Sequence, residues 1–298
     1  MLYNEIRPFK KWRKIKVERE EIKRLKRRTI KLEEQLTEIK KDLIGIVRTL
    51  EKQENRFFEL EEVDSLHVYP ADRNIESIQV QLTRLKNYFP TLQLECAVSP
   101  RLPELAEGQI LIPKFLKIAS NYNEALEKVL EILAKERSDF LNGRDGELGE
   151  NYLRLNNRTA MALEMLEKTT KGDYLLIPVQ LGHRHLGKSS RRANVLFEPN
   201  EFGLGPFEIA VFLLTHPKWL TTENDLGIDC VGGEYGPYKH ARFKNILCLY
   251  YLKGKLHFND RWGGCPDEKF GATSAFLPKR VAINLRVDYM STSFLKVF

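Results

Sequence analysis

Between Ile15 and Leu60 the apolar residues recur every three and four positions. Written as heptads, position a reads Ile15, Ile22, Thr29, Leu36, Leu43, Leu50 and Phe57, and position d reads Glu18, Leu25, Leu32, Ile39, Ile46, Gln53 and Leu60. Eleven of these fourteen positions are apolar, and no proline stands between Arg13 and Val63. A 3.5-residue repeat keeps one stripe turned toward a neighbouring helix, so the pattern predicts a coiled coil. The other positions are so charged that the helix alone gains little from its narrow stripe, and self-association through residues 15–60 is expected. Leucine at a and isoleucine at d (Leu36, Ile39, Leu43, Ile46) favour more than two strands in a parallel assembly. The alternative is a helix that folds back onto its own body.

Beyond Pro70 the periodicity shortens. Ile75, Ile78, Leu82, Leu85 and Phe89 step by three and four, an amphipathic helix that Pro90 closes. TLQLECAV (91–98) alternates as a half-buried strand, and QILIP (109–113) reads as another. Asn121 with Glu124 forms a capping-box pattern before NEALEKVLEILAKER, a helix start. NGRDGELGEN (142–151) is a turn-rich loop, and a further helix covers about 157–169. The strands expected afterwards are YLLIPVQL (174–181), ANVLF (193–197), NILCLYYL (245–252), KLHF (255–258) and VAINLRV (281–287), with a hairpin at Lys253-Gly254-Lys255. Pro206 to Leu214 reads as a short buried helix stopped by Pro217. The fold class is therefore α+β: a long N-terminal coiled-coil helix, then a mixed body with a mainly β C-terminal part. Its expected divisions are a basic arm and coiled coil (1–64), a mainly helical α/β region (65–170) and a β-rich domain (171–298).

Charge changes this picture at one end. Residues 1–31 hold 13 Lys/Arg against 4 Asp/Glu, while the remaining 267 hold 35 against 37, so the net +7 belongs to the N-terminal arm. An arm of this kind suits a nucleic-acid backbone or another anionic surface with salt-dependent affinity. RPFKKWRKIKVEREEIKRLKRR runs into a leucine-rich seam as in bZIP factors, but it lacks their asparagine- and alanine-rich base-reading face. Its other reading is a solvated face with intrahelical Glu–Lys pairs. The longest apolar runs, such as IAVFLL (209–214), are far shorter than the roughly 20 residues of a membrane span. The first residues show no apolar signal region, and four well-separated cysteines read as free thiols, so a cytoplasmic location is expected.

QLGHRHLGKSSRRA (180–193) contains the one motif that carries chemistry. Gly182 to Ser189 spells G-x-x-x-x-G-K-S, the pattern of a phosphate-binding loop. Such a loop needs a buried strand before it and a helix after it. YLLIPVQL meets the first need, although Pro178 weakens a central position. The VLF that follows prefers a strand, so the second need is unmet. The alternative is a basic surface: Gly182, His183, Arg184, His185, Gly187, Lys188, Ser189, Arg191 and Arg192 as a site for a phosphate, a nucleic acid or an acidic partner. Against that stands simple pairing of the arginines with Glu198, Glu201 or Glu208. His183 and His185 share a face if the segment is a strand, but two histidines without a third ligand make no metal site.

Asp229 and Glu234, with Lys239 and Lys244 downstream, form an alternative acidic site for metal-assisted phosphodiester cleavage, without the expected E-x-K triplet. Cys230, His240, Cys248, His257 and Cys265 lie within 36 residues, yet no CxxC or HxxxH pair is present, so neither a metal nor a cofactor is expected. KGDYLLIPVQLGHRHLGKSSRRA, EFGLGPFEIAVFLLTHPKWL, DLGIDCVGGEY and SAFLP resemble a family of uncharacterised bacterial hypothetical proteins, over roughly residues 100–298. The resemblance implies a bacterial origin and one continuous body from about residue 65 onward, with no activity, cofactor or site to carry over. Taken together, the chain is expected to be an oligomeric, non-enzymatic binding or scaffold protein with a basic loop for an anionic partner. The competing expectation is a phosphate-processing enzyme, either a P-loop-like NTPase at Gly182–Ser189 or a nuclease at Asp229 and Glu234.

Overall fold

The computed structural model describes residues 21–43, 59–67, 73–93, 102–238 and 242–278. The chain divides into two compact units, Met1–Glu59 and Leu60–Phe298. In the first, helix α1 covers 21–43 without interruption. Six of its seven heptad positions are apolar (Ile22, Leu25, Leu32, Leu36, Ile39, Leu43), and each is 51–58% exposed. The seam positions at 15, 18, 46, 50, 53 and 57 lie outside the described residues.

In the second unit, helix α2 (Ile78–Tyr88) starts three residues after the expected Ile75, because Ser77 caps it by accepting from the Val80 N–H. The strand expected at 91–98 falls largely outside the described residues. Strand β1 (Gly108–Pro113) is followed by α3 (Tyr122–Glu136), which Asn121 caps through the Glu124 N–H at 2.9 Å. Its buried face, Tyr122, Ala125, Leu126, Val129, Leu130 and Leu133, follows the helical period. Two short strands, β2 (Phe140–Asn142) and β3 (Leu153–Leu155), precede α4 (Asn157–Thr169), capped by Asn156. Then come β4 (Tyr174–Gln180), α5 (Ser190–Leu196), β5 (Glu201–Gly203) and α6 (Pro206–Thr215). The remainder is β: β6 (Gly227–Asp229), β7 (Gly233–Tyr235), β8 (Asn245–Leu252), β9 (Lys255–Trp262), β10 (Phe270–Ala272) and β11 (Ser274–Phe276). This is the α+β composition with a mainly β C-terminal part. The strand expected at 281–287 lies outside the described residues.

Four strands form an antiparallel sheet in the order β1-β4-β11-β5. Seven form a mixed sheet, β10-β6-β8-β7-β3, with β9 on β8 and β2 on β9. Strands from both sides of residue 170 share each sheet, since β1 pairs with β4, β2 with β9 and β3 with β7. A boundary at 170/171 therefore separates no two bodies. Pro178 is tolerated in β4 because it lies just past Val179 and Gln180, the two residues that β11 pairs. The open edge of β1 is closed by a side chain. Buried Gln81 accepts from the Leu111 N–H at 2.8 Å and donates to the Gln109 carbonyl at 2.9 Å, standing in for a neighbouring strand. Lys253 and Gly254 both take positive φ, which turns the β8–β9 hairpin as expected.

Helix α6 is the hub. All ten of its residues are buried, and it packs against α2, α3 and β1. Such a helix cannot show an apolar stripe, because every face is inside. Its one ionisable group, Glu208, accepts from the Tyr122 hydroxyl at 2.8 Å and the Gly205 N–H at 3.0 Å. Burial pushes the carboxyl up to about 7, against the pull of those donors. A carboxyl raised in the folded state stabilises fully below about pH 4.5, and that contribution is lost as the pH rises through about 7. Glu208→Gln should therefore match the parent near pH 4.5 and exceed it by about 3 kcal/mol at pH 8 in urea unfolding. Equal stability of the two at pH 8 would contradict an ionisable buried carboxyl here.

Candidate functional site

The basic segment leaves β4 at Leu181 and turns at Gly182, whose φ of 109° only glycine accepts readily. Any Cβ there would press on the Gly271 backbone at 3.0 Å. His183–His185 then form one 3-10 turn with His183 exposed and His185 buried, so the two imidazoles diverge rather than share a face. Gly187 is the second left-handed position, and its missing Cβ makes room for the Val63 carbonyl. The glycine spacing that resembles a phosphate loop thus serves two close backbone approaches.

A helix does follow Ser189, contrary to the strand expected at 193–197. Ser189 caps α5 by accepting from the Arg192 N–H at 3.1 Å. Ala193 and Phe197, four apart, bury against Val231, Ile246 and Ala272, and that tertiary face overrides the strand preference of VLF. The space in front of the loop is filled by the chain itself. The Ser189 N–H donates to the Glu61 carbonyl at 2.9 Å, and the Val63 N–H donates to the Gly187 carbonyl at 2.9 Å. Gly187 donates in turn to the Phe270 carbonyl at 3.1 Å. Residues 186–189 are therefore held on one side by the Leu186–Gly271 bridge to β10 and on the other by a single bridge from Lys188 to Glu62, just after a 3-10 turn at Glu59–Glu61.

The side chains repeat this pairing. The Glu61 carboxylate receives the Ser189 hydroxyl and both Nε and Nη2 of Arg191, a two-pronged grip. Glu62 receives Nε of Arg192, with the Lys188 ammonium 4.0 Å away. Arg184 bridges Glu198 at 3.0 Å and Glu201 at 3.6 Å. His185 Nε2 lies 2.8 Å from Glu201, which also accepts from the Ser274 hydroxyl, itself held by Gln180. Burial works against the Glu201 charge, yet donors from His185, Ser274 and the backbone outweigh it and hold the carboxyl below its usual range. The pairing with Glu198 and Glu201 is as the sequence suggests, whereas Glu208 pairs with Tyr122. Glu61, Glu62, Gln180 and Ser274 were not legible as members of the site. The two glutamates precede Arg191 and Arg192 by some 130 residues, and only the complementary doublets EE and RR hinted at them.

The alternative acidic site is two separate pairs. Asp229 on β6 is buried, with Arg261 Nη1 at 3.2 and 3.4 Å; burial pushes its carboxyl up to about 7 although Arg261 pulls it down. Glu234 on β7 is half-exposed and takes Nε of Arg154 at 2.7 Å. Lys239 lies outside the described residues. Cys230 and Cys248 are buried free thiols, Cys265 is exposed, and His257 stacks on Tyr250 at 5.0 Å. Among the described residues, no three of His, Cys, Asp and Glu converge as metal ligands. No helix among them is long and apolar enough to cross a membrane. No protein-family model, curated protein or solved structure matches the chain.

With Lys188 and Ser189 turned to Glu62 and Glu61, a triphosphate meets carboxylates rather than open donors. ATP with Mg²⁺ should leave the thermal midpoint within about 1 °C of its value without nucleotide. A rise of several degrees that vanishes in Lys188→Ala would restore the nucleotide reading.

Proposed function

We propose that the chain is an oligomeric, non-enzymatic binding or scaffold protein, assembled through α1 and its flanking heptads, whose bodies present the basic loop 182–192 to an anionic partner. One observation carries the assembly: six apolar seam residues of α1 are each more than half exposed. A 23-residue helix so charged is marginal in water by itself, and a second copy supplies the matching stripe. Multiplying the bodies on a stalk turns a weak site into a strong one through avidity. The buried thiols support a reducing, cytoplasmic setting. The binding reading is supported over an enzyme because Asp229, Glu234, His185 and Glu201 each face a structural partner.

Leu36→Asp with Ile39→Asp places charge in the middle of the seam. The double variant should sediment as a single chain, while the thermal midpoint of the body stays within about 2 °C of the parent. An unchanged sedimentation coefficient would remove α1 as the assembly element.

A further inference from the structure

The segment at 60–66, a 3-10 turn ending at Glu61 followed by one isolated bridge from Glu62 to Lys188, turns its charge inward and its apolar side chains outward. Its Glu61 is buried, whereas Leu60 is 78%, Val63 41% and Leu66 97% exposed. A segment fixed by the core puts its apolar side chains inside, since their burial supplies most of the hold. This one is held by carboxylates on Arg191, Arg192 and Lys188, by two backbone hydrogen bonds to residues 187 and 189, and by the Ser65 hydroxyl on the Glu268 carbonyl. Such a segment gains little from apolar burial, so its hold rests on those polar contacts and a competitor that reproduces them can replace it.

We propose that the loop at 186–192 is a docking groove for an extended acidic peptide strand, and that Glu61–Ser65 occupies it as a built-in competitor. This rests on the reading of the loop as an anion-binding surface and names its ligand class and its regulation. The chemistry favours a peptide over a nucleic acid. The Gly187 carbonyl needs an N–H donor and the Ser189 N–H needs a carbonyl, and together they accept one peptide strand along the edge. A phosphodiester backbone has no N–H to give to Gly187. The two guanidinium groups and the Lys188 ammonium then read successive carboxylates, as they do with Glu61 and Glu62. Tethering gives the internal segment an effective concentration of about a millimolar, so the groove is closed until a partner binds more tightly or that segment is loosened.

The test uses the full-length chain and a fluorescein-labelled peptide of residues 59–67. Glu61→Gln with Glu62→Gln should bind it at least about tenfold more tightly than the parent, because the internal competitor is weakened. Adding Lys188→Ala and Arg191→Ala should abolish that gain. Ser65→Ala keeps every charge of the groove and loosens only the far end of the segment; it should tighten peptide binding a few-fold, and it carries the test should the glutamine variant fail to fold. Equal affinity of parent, glutamine variant and Ser65→Ala would overturn the inference, as would binding that survives loss of Lys188 and Arg191. An oligothymidylate of equal charge bound more tightly than the peptide would assign the groove to phosphodiesters and overturn the peptide class. Failure here with sedimentation unchanged would sink the groove alone and leave the α1 assembly standing.

Discussion

Replacing Arg261 by alanine should destabilise the body by about 3–5 kcal/mol at pH 8 and by about 1.4 kcal/mol less than that at pH 5.5. The guanidinium lies against Asp229, which is completely buried, and its plane also rests 4.4 Å from the Phe270 ring centroid. Without it, Asp229 either keeps an unpaired buried charge or takes up a proton at a cost that grows with pH. The sign follows from the direction of the shift. Burial holds Asp229 at about 7, above its ordinary 3.8, so its stabilising contribution is complete below about pH 4 and is lost as the pH rises through 7. Below that range the carboxyl is neutral in parent and variant alike, and only the packing on Phe270 and the hydrogen bonds are missing. Urea unfolding at the two pH values reads the difference. A gap of the same size at both would mean that the charge of Asp229 plays no part.

Phe212→Ala should cost about 3–5 kcal/mol, the range for a large aromatic removed from a packed interior. Phe212 is completely buried on α6, stacked on His216 with ring centroids 4.1 Å apart and edge-on to Trp219 at 5.1 Å. Burial pushes His216 down to about 4, and its Nε2 accepts the Glu76 N–H at 2.9 Å, so the neutral ring is the one the fold uses. A histidine lowered in this way stabilises above about pH 6.5 and loses that contribution as the pH falls toward 4. Without Phe212 the ring is less desolvated, so the variant's loss is expected to shrink as acid weakens the parent. A cost below about 1 kcal/mol in denaturant unfolding would show that α6 is not the hub.

The elements that sequence made legible are those whose burial follows a local period or whose ends carry a chemical stop. Asn121 and Pro206 start α3 and α6 where capping chemistry puts them, and Pro217 stands just past the end of α6. The three-residue strands β2, β3, β5, β6, β7, β10 and β11 are too short to show an alternation and exist because longer neighbours pair with them. KLHF was the visible part of a strand that runs on to Trp262, since the polar Asn259, Asp260 and Arg261 conceal it. Residues 193–197 became helical for a tertiary reason. The basic loop was legible as a concentration of charge, but its occupant was not, because Glu61 and Glu62 stand some 130 residues earlier in the chain.

The exposed seam of α1 is the feature on which the proposed assembly depends. Sedimentation velocity of the full-length chain across about 1 to 50 µM should give only species of at least twice the 34.8 kDa chain mass at the upper end, with dissociation on dilution. A single 34.8 kDa species throughout that range would contradict it.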